Sequence, residues 1–335
     1  MATVICRNPN DAFPLTMKML KTDGVEVSSR AGDGKSSTTV EFPEAVQVIF
    51  THPCERVLFH SKRQINPFLH FFEPLWIIAG RDDVGFLAGI VKRMASFSDD
   101  GEHFYGAYGH RLRYPIDQIS EAITRLRKNP HDRQCVLQIR SQLDMRYAGR
   151  DMPCNTSAAL KIRDGALNMH VFNRSNDAIW GGPAGGTNHP QFTTLQEYLA
   201  RKIGVDVGRY TITTDSMHAY TNEQWSLLKD ASVETDYYLP IGGVRPYPLM
   251  ERGEEIDFEH DIIHFFNRYD SGKNQEVHFR TRYFNDVVTP MYQCLGYYKR
   301  NALDAAMAMS ESIQAMDWRL ITEQFIHSKI DRVPT

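Results

Sequence analysis

The stretch 151–200, DMPCNTSAALKIRDGALNMHVFNRSNDAIWGGPAGGTNHPQFTTLQEYLA, decides how this chain reads. A cysteine, Cys154, follows a proline in a short loop. The run 166–172 alternates apolar and polar residues, the pattern of a strand with one apolar face. Where that strand should end, Arg174, Ser175, Asn176 and Asp177 bunch polar side chains. A glycine-rich turn over 181–186 follows, and Asn188 precedes a helical pattern over 193–203. Thiol, cation, carboxylate and amide fall within one fold-back of the chain. Such a set suits the holding and attack of a small anionic substrate.

Each residue has a functional and a plain reading. Cys154 lies outside any apolar run and close to Arg174 across an expected hairpin, so its thiolate should be favoured. The alternative is a packed thiol, which is how Cys135, inside the apolar run 135–139, is read. Arg174 and Ser175 offer a guanidinium fork and a hydroxyl to a monophosphate, or else a surface ion pair. Asp177 could equally cap a turn. The Asn188 amide offers one acceptor and two donors. Upstream, PFLHFFEPLWIIAG (67–80) reads as an apolar helix with one acid, Glu73. Burial there should raise its pKa and make it a proton shuttle near neutral pH, unless it faces a polar cleft. Downstream, RYTITTDSMHAY (209–220) alternates as a strand and puts His218 and Tyr220 on one face, where they suit a sugar hydroxyl. Residues 21–40 read as a mobile loop whose Arg30 is a solvated charge or a phosphate contact.

Composition narrows the class. The 335 residues are 42% hydrophobic and 24% charged, ordinary for a soluble globular protein of one large domain or two. A net charge of −3 argues against a nucleic-acid scaffold. Five cysteines without regular spacing suggest neither a disulfide framework nor a zinc site. No signal peptide or membrane-spanning run is evident, so a cytoplasmic protein without membrane contact is expected. Past a Pro/Gly-rich loop at 238–253, three or four helices are expected in 255–330. The histidines there, 260, 264, 278 and 327, lack metal-ligand spacing, and no metal is expected.

The order P-C, then R-S-x-D, then a glycine turn leading to Asn resembles the thymidylate synthase superfamily, which includes pyrimidine nucleotide C5-hydroxymethylases. Glu73 resembles the glutamate of its E-x-L-W-x-x-x-G segment, Tyr108 and Gly109 its tyrosine-glycine pair, Arg133 its arginine loop, and His218 with Tyr220 its H-x-Y. Ordered motifs run through residues 20–225, and the part from about 240 matches weakly. The resemblance implies an α/β fold of the α+β type, with a large mixed sheet and flanking helices, and a single domain over 1–335 forming a homodimer. It implies addition of Cys154 to C6 of a pyrimidine nucleoside monophosphate, with 5,10-methylenetetrahydrofolate as one-carbon donor. Glu73 and Tyr108 would handle protons, and Glu73, Asp177 and Gly181 would hold the folate, with Asp177 counted among the catalytic set. Arg30, Arg174, Ser175 and a partner subunit's arginine at 133 would bind phosphate. Asn188, His218 and Tyr220 would read base and sugar.

Three departures matter. Residues 94–98 replace the family's tryptophan-rich segment beside the transferred carbon, which should admit water and favour hydroxymethylation. Arg133 is followed by Gln134, so one of two phosphate cations is missing, and Asn155 replaces the histidine after the cysteine. Taken literally, Asn188 favours deoxyuridylate, with dCMP or CMP still open. The alternatives are a C5-methylase of dUMP or dCMP and, from another class, a non-catalytic nucleotide- or RNA-binding protein. A cysteine protease or acyltransferase is a weaker thought, since only His218 offers a partner.

Overall fold

The structure is a computed structural model that describes residues 1–30, 36–182, 185–240, 242–271 and 278–330, with only the backbone at 29, 30 and 36. Its strands are β1 (Ala2–Cys6), β2 (Val25–Arg30), β3 (Ser36–Glu41), β4 (Val46–Phe50), β5 (Val136–Gln138), β6 (Asn155–Arg163), β7 (Ala166–Asp177) and β8 (Asp206–Tyr220). They form one mixed sheet in the order β1-β4-β8-β7-β6-β5, with β3 on the far end of β8 and β2 beyond it. β1/β4 and β7/β8 are parallel; the other pairs are antiparallel.

Register explains which face is covered. Val4, Val48, Ile212, Val171, Ala158 and Leu137 are successive partners straight across the sheet, and all but Val4 are fully buried. One residue along, the row Ile5, Ile49, Thr211, His170, Ala159 and Val136 points the other way and stays half or fully exposed. The two-residue period of a strand makes these opposite faces. The β6–β7 hairpin closes through Asp164 and Gly165, both at positive φ (52° and 75°), as a two-residue turn requires.

Helices cover the buried face: α1 (Pro9–Asp23), α2 (Pro67–Ile78), α3 (Val84–Ile90), α4 (Tyr108–Arg113), α5 (Gln118–Lys128), α6 (Asn188–Ile203) and α7 (Glu223–Leu228). The C-terminal part adds α8 (Glu255–Asp270), α9 (Thr289–Lys299), α10 (Leu303–Ser310) and α11 (Met316–Ile330). α2 starts where the Asn66 side chain accepts from the amides of Phe68 and Leu69, with Pro67 at the first helical position. It is buried on nearly every side and packs against α6 and α11, so Glu73 is held largely out of bulk water. At Gly109 a Cβ would lie 2.3 Å from the Ile77 carbonyl oxygen, so only glycine lets α4 press Tyr108 towards α2. The C-terminal helices join the same apolar core: Phe72 of α2 stacks on Phe265 of α8 at 5.9 Å. Tyr238 ties three segments together, accepting from the Val57 amide (3.1 Å) and donating to buried Asp317 (2.9 Å).

The α/β class with a large mixed sheet and flanking helices is as expected; some element boundaries differ. Residues 21–40 are not simply a loop, because the Ser/Thr/Val-rich runs on either side pair as the β2–β3 hairpin. Residues 82–97 hold α3 followed by a 3₁₀ turn, Lys92–Phe97, broken at extended Val91. β7 does not end before Arg174; pairing with β8 carries it on to Asp177, opposite His218. Asn188 does not precede its helix but is the first residue of α6.

Candidate active site

The polar cleft lies where β7 and β8 end and β6 begins. Cys154 occupies the last loop position before β6, and its loop is held by Arg174. That guanidinium donates to the carbonyls of Pro153 (3.0 Å) and Met152 (3.0 Å), while the Arg174 amide donates to the Cys154 carbonyl (2.9 Å). Two of the three Arg174 guanidinium nitrogens, Nε and Nη2, are therefore engaged with the backbone. The expectation of a lowered thiol pKa fails. Burial raises it above its ordinary value, and Asp151 adds to that; the nearby Arg174 and Arg140 only partly offset the desolvation.

Tyr108 stands over this thiol. Burial first, then the Cys154 charge, push its hydroxyl up, while Asn155 hydrogen-bonds to it. Glu73 is fully desolvated and its carboxyl rises to about 7; Gln191 and Thr187 at the start of α6 restrain the rise by hydrogen bonding, and Asp151 adds to it. Among the described residues its Oε2 has no hydrogen-bond partner, nor has the neighbouring Gln191 Oε1. Buried oxygens without partners are what a bound ligand or water satisfies.

Asp177 ends β7 and caps the turn that follows, accepting from the amides of Ile179 (2.9 Å) and Trp180 (3.4 Å). Burial raises its pKa against those bonds and against the charges of His218 and Arg63. The Arg63 guanidinium, itself pulled down to about 10 by burial, donates to the Ile179 carbonyl (2.8 Å) and lies under the exposed Trp180 ring at 4.6 Å. His218 and Tyr220 do share one face, ring against ring at 5.4 Å. Tyr220 is raised by burial and then by Asp177 and Cys154, which brings both ends of the cleft to one place.

Asn188 is held by two amides. Its Oδ1 accepts from Asn155 (3.1 Å) and its Nδ2 donates to Asn176 Oδ1 (3.2 Å). Gly181 must be small: a Cβ would come within 2.9 Å of that same Asn176 oxygen. Ser175 is half-buried on β7 opposite Ser216. Arg133 is exposed in the turn before β5, apart from this cluster. Arg30 falls at the edge of the described residues, and its side chain is outside them. Sequence reasoning missed Arg140, Asp151, Gln191 and Arg63. Gln191 alone carried a signal, standing one helical turn after Asn188. Among the described residues no cluster of His, Cys, Asp and Glu could hold a metal ion, and no helix is long and apolar enough to cross a membrane.

A cysteine set among a raised carboxyl, a tyrosine and base-sized amides at strand ends is the layout of covalent catalysis on a small polar ring. The chain belongs to the thymidylate synthase family: the family model for thymidylate synthase matches residues 16–240. It is 36% identical over 345 residues to a deoxyuridylate hydroxymethyltransferase of Pseudomonas phage M6, covering 98% of this chain and 95% of that one. It is 40% identical over 192 residues to a protein of the same name from Bacillus phage SP01, across 53% of this chain and about half (50%) of that one. Among solved structures, thymidylate synthase A of Bacillus subtilis superposes with a TM-score of 0.56 at 21% identity, over 68% of this chain and 86% of that one. The T4 phage enzyme gives 0.53 at 19%, over 67% and 81%. These two likenesses concern the fold.

Proposed function

We propose that this protein is a folate-dependent hydroxymethyltransferase acting on C5 of deoxyuridine 5′-monophosphate. The observation that carries the reading is the likeness, over 98% of this chain, to a deoxyuridylate hydroxymethyltransferase, joined to a half-buried Cys154 near Tyr108 and a buried Glu73 whose carboxyl lies at about 7. Glu73 and Asp177, with Gly181 between turn and helix, fit a ring that offers donors: Glu73 is buried and Asp177 half-buried, and Glu73 Oε2 lacks a partner among the described residues. Methylenetetrahydrofolate bound there supplies the one-carbon unit.

The chain's own residues then do the following. Cys154 loses its proton and its sulfur bonds to C6 of the base, moving an electron pair to C5, where the one-carbon unit is accepted. Asn188 accepts from N3–H and donates to O4, steadying the charge that develops on O4. Glu73, about half protonated near neutral pH, passes protons through ordered water to and from the base. With Tyr108, it would take the C5 proton, and the folate nitrogen would leave with its electron pair as tetrahydrofolate, so that an exocyclic methylene remains on C5. Water adds to the exocyclic carbon, and Cys154 leaves as C5–C6 re-forms. Met94, Ala95, Ser96 and half-exposed Phe97 stand where the family's methylases carry a tryptophan wall, which supports capture by water over hydride. Arg174, Ser175 and Arg30 receive the phosphate together with Arg133 from a second subunit. His218 and Tyr220 take the sugar. The whole chain acts as one domain.

Incubation with methylenetetrahydrofolate and each of dUMP, dCMP, UMP and CMP, read by mass spectrometry, tests this. Hydroxymethyl-dUMP is expected. Thymidylate with dihydrofolate would make the protein a methylase, and no product from any nucleotide would refute the enzyme. Cys154→Ala should still bind dUMP but form no covalent adduct.

A further inference from the structure

Four asparagines stand in one hydrogen-bonded line beside the candidate nucleophile. Asn173 Nδ2 donates to Asn155 Oδ1 (2.8 Å), Asn155 Nδ2 to Asn188 Oδ1 (3.1 Å), and Asn188 Nδ2 to Asn176 Oδ1 (3.2 Å). All four are buried. We propose that Asn155 and Asn173 are positioning residues for base choice: they lock the Asn188 amide in the orientation that pairs with uracil and excludes cytosine. The proposal rests on the reading of Asn188 given above.

The argument is one of polarity. An amide's oxygen and nitrogen are told apart by their partners, and a line of amides could in principle run either way. This one cannot, because its first member is anchored to a group with no choice. The backbone N–H of Ser175 donates to Asn173 Oδ1 at 2.8 Å. Asn173 must then present Nδ2 to Asn155, Asn155 must present Nδ2 to Asn188, and Asn188 must receive it on oxygen. Reversing Asn188 alone would set N–H against N–H at Asn155, and two buried groups would lose their partners. At the other end nothing among the described residues opposes this direction: Asn176 Nδ2 is buried without a partner there, so that residue follows Asn188 and does not steer it.

The backbone is shaped for the contact. β6 and β7 pair regularly from Ser157↔Phe172 onward, but a bulge between Asn155 and Ser157 brings Asn155, not Thr156, opposite Asn173. Bulges re-aim side chains in this way. What remains free on Asn188 is one lone pair on Oδ1 and one hydrogen on Nδ2. That pair complements uracil's N3–H and O4; cytosine presents the reverse at both atoms.

The test is direct binding of dUMP and dCMP to the full-length protein without folate, for wild type, Asn173→Asp and Asn155→Ala. Measurements are made above neutral pH, where a carboxylate at 173 still accepts from Ser175 but cannot donate to Asn155. Wild type should prefer dUMP by about tenfold or more, the size expected when a buried pair is left unmatched. Both variants should lose most of that preference. A merely structural defect weakens both nucleotides alike and leaves the ratio unmoved. The proposal is overturned if either folded variant keeps the wild-type ratio, or if wild type prefers dCMP. Wild-type binding of neither nucleotide would instead sink the functional reading itself.

Discussion

At the scale of single residues, Glu73 shows how burial sets chemistry. It sits mid-helix in an apolar run, and the cost of holding its charge there lifts the carboxyl from 4.5 to about 7. The sign for stability follows from proton counting. Between those two values the folded protein keeps a proton that the unfolded chain has lost, so stability falls as pH rises through the window. The full effect is about 3 kcal/mol above pH 7 and vanishes at acid pH. Glu73→Gln, uncharged at every pH, should therefore match wild type at low pH and melt a few degrees higher above neutrality. Its turnover should fall by about a hundredfold or more, since the proton shuttle is gone. Melting curves at the two pH extremes, with kcat, check both parts; a wild-type-like slope in the variant would mean that another group titrates. Cys154 gives the opposite lesson. Arg174 was legible in the sequence as its neighbour, but the desolvation that outweighs that cation is a property of the assembled cleft and of no local pattern.

At the scale of elements, what could be read in advance was what local pattern dictates. The apolar run of α2, the alternation of β8 and the Asp-Gly turn each announce their structure. What could not be read depends on distant partners. β7 continues to Asp177 because β8 supplies a partner there, and the asparagine line needs a bulge that no spacing reveals. Two glycines separate these kinds of constraint. Gly165 needs only its positive φ and has open space around it, whereas Gly109 has ordinary φ and a carbonyl oxygen 2.3 Å from where a Cβ would be. Gly109→Ala must push α4 off α2, costing about 1–3 kcal/mol and moving Tyr108 away from Cys154. Gly165→Ala should cost about 1 kcal/mol of backbone strain and leave turnover intact. Denaturant midpoints alongside kcat discriminate: equal losses of activity in both would mean that Gly109 matters only through stability.

At the scale of the molecule, the sheet poses the remaining question, because its second face stays half or fully exposed. Two rows lie open there, Ile5, Ile49, Thr211, His170, Ala159 and Val136, and beside them Gln47, Thr213 and Phe172. Ile5 is 64% exposed, Val136 43% and Phe172 39%, a broad apolar face of the kind that marks an interface. The cleft also lacks one thing on its own: Arg133 is exposed and apart from Cys154, although the family resemblance assigns it to phosphate. A second copy docked through the sheets would answer both, and two measurements test for it. Sedimentation should give twice the chain mass of 38.5 kDa, and Phe172→Glu should yield inactive monomers that keep their fold. Trans supply of the arginine makes a sharper claim. Cys154→Ala and Arg133→Ala homodimers should each be inactive or nearly so. After mixing and exchange, half the dimers are hybrid, and each hybrid holds one site with both groups intact. Activity should then return to about a quarter of wild type, by symmetry alone. A mixture no more active than its parents would place Arg133 in its own subunit's site or outside the reaction.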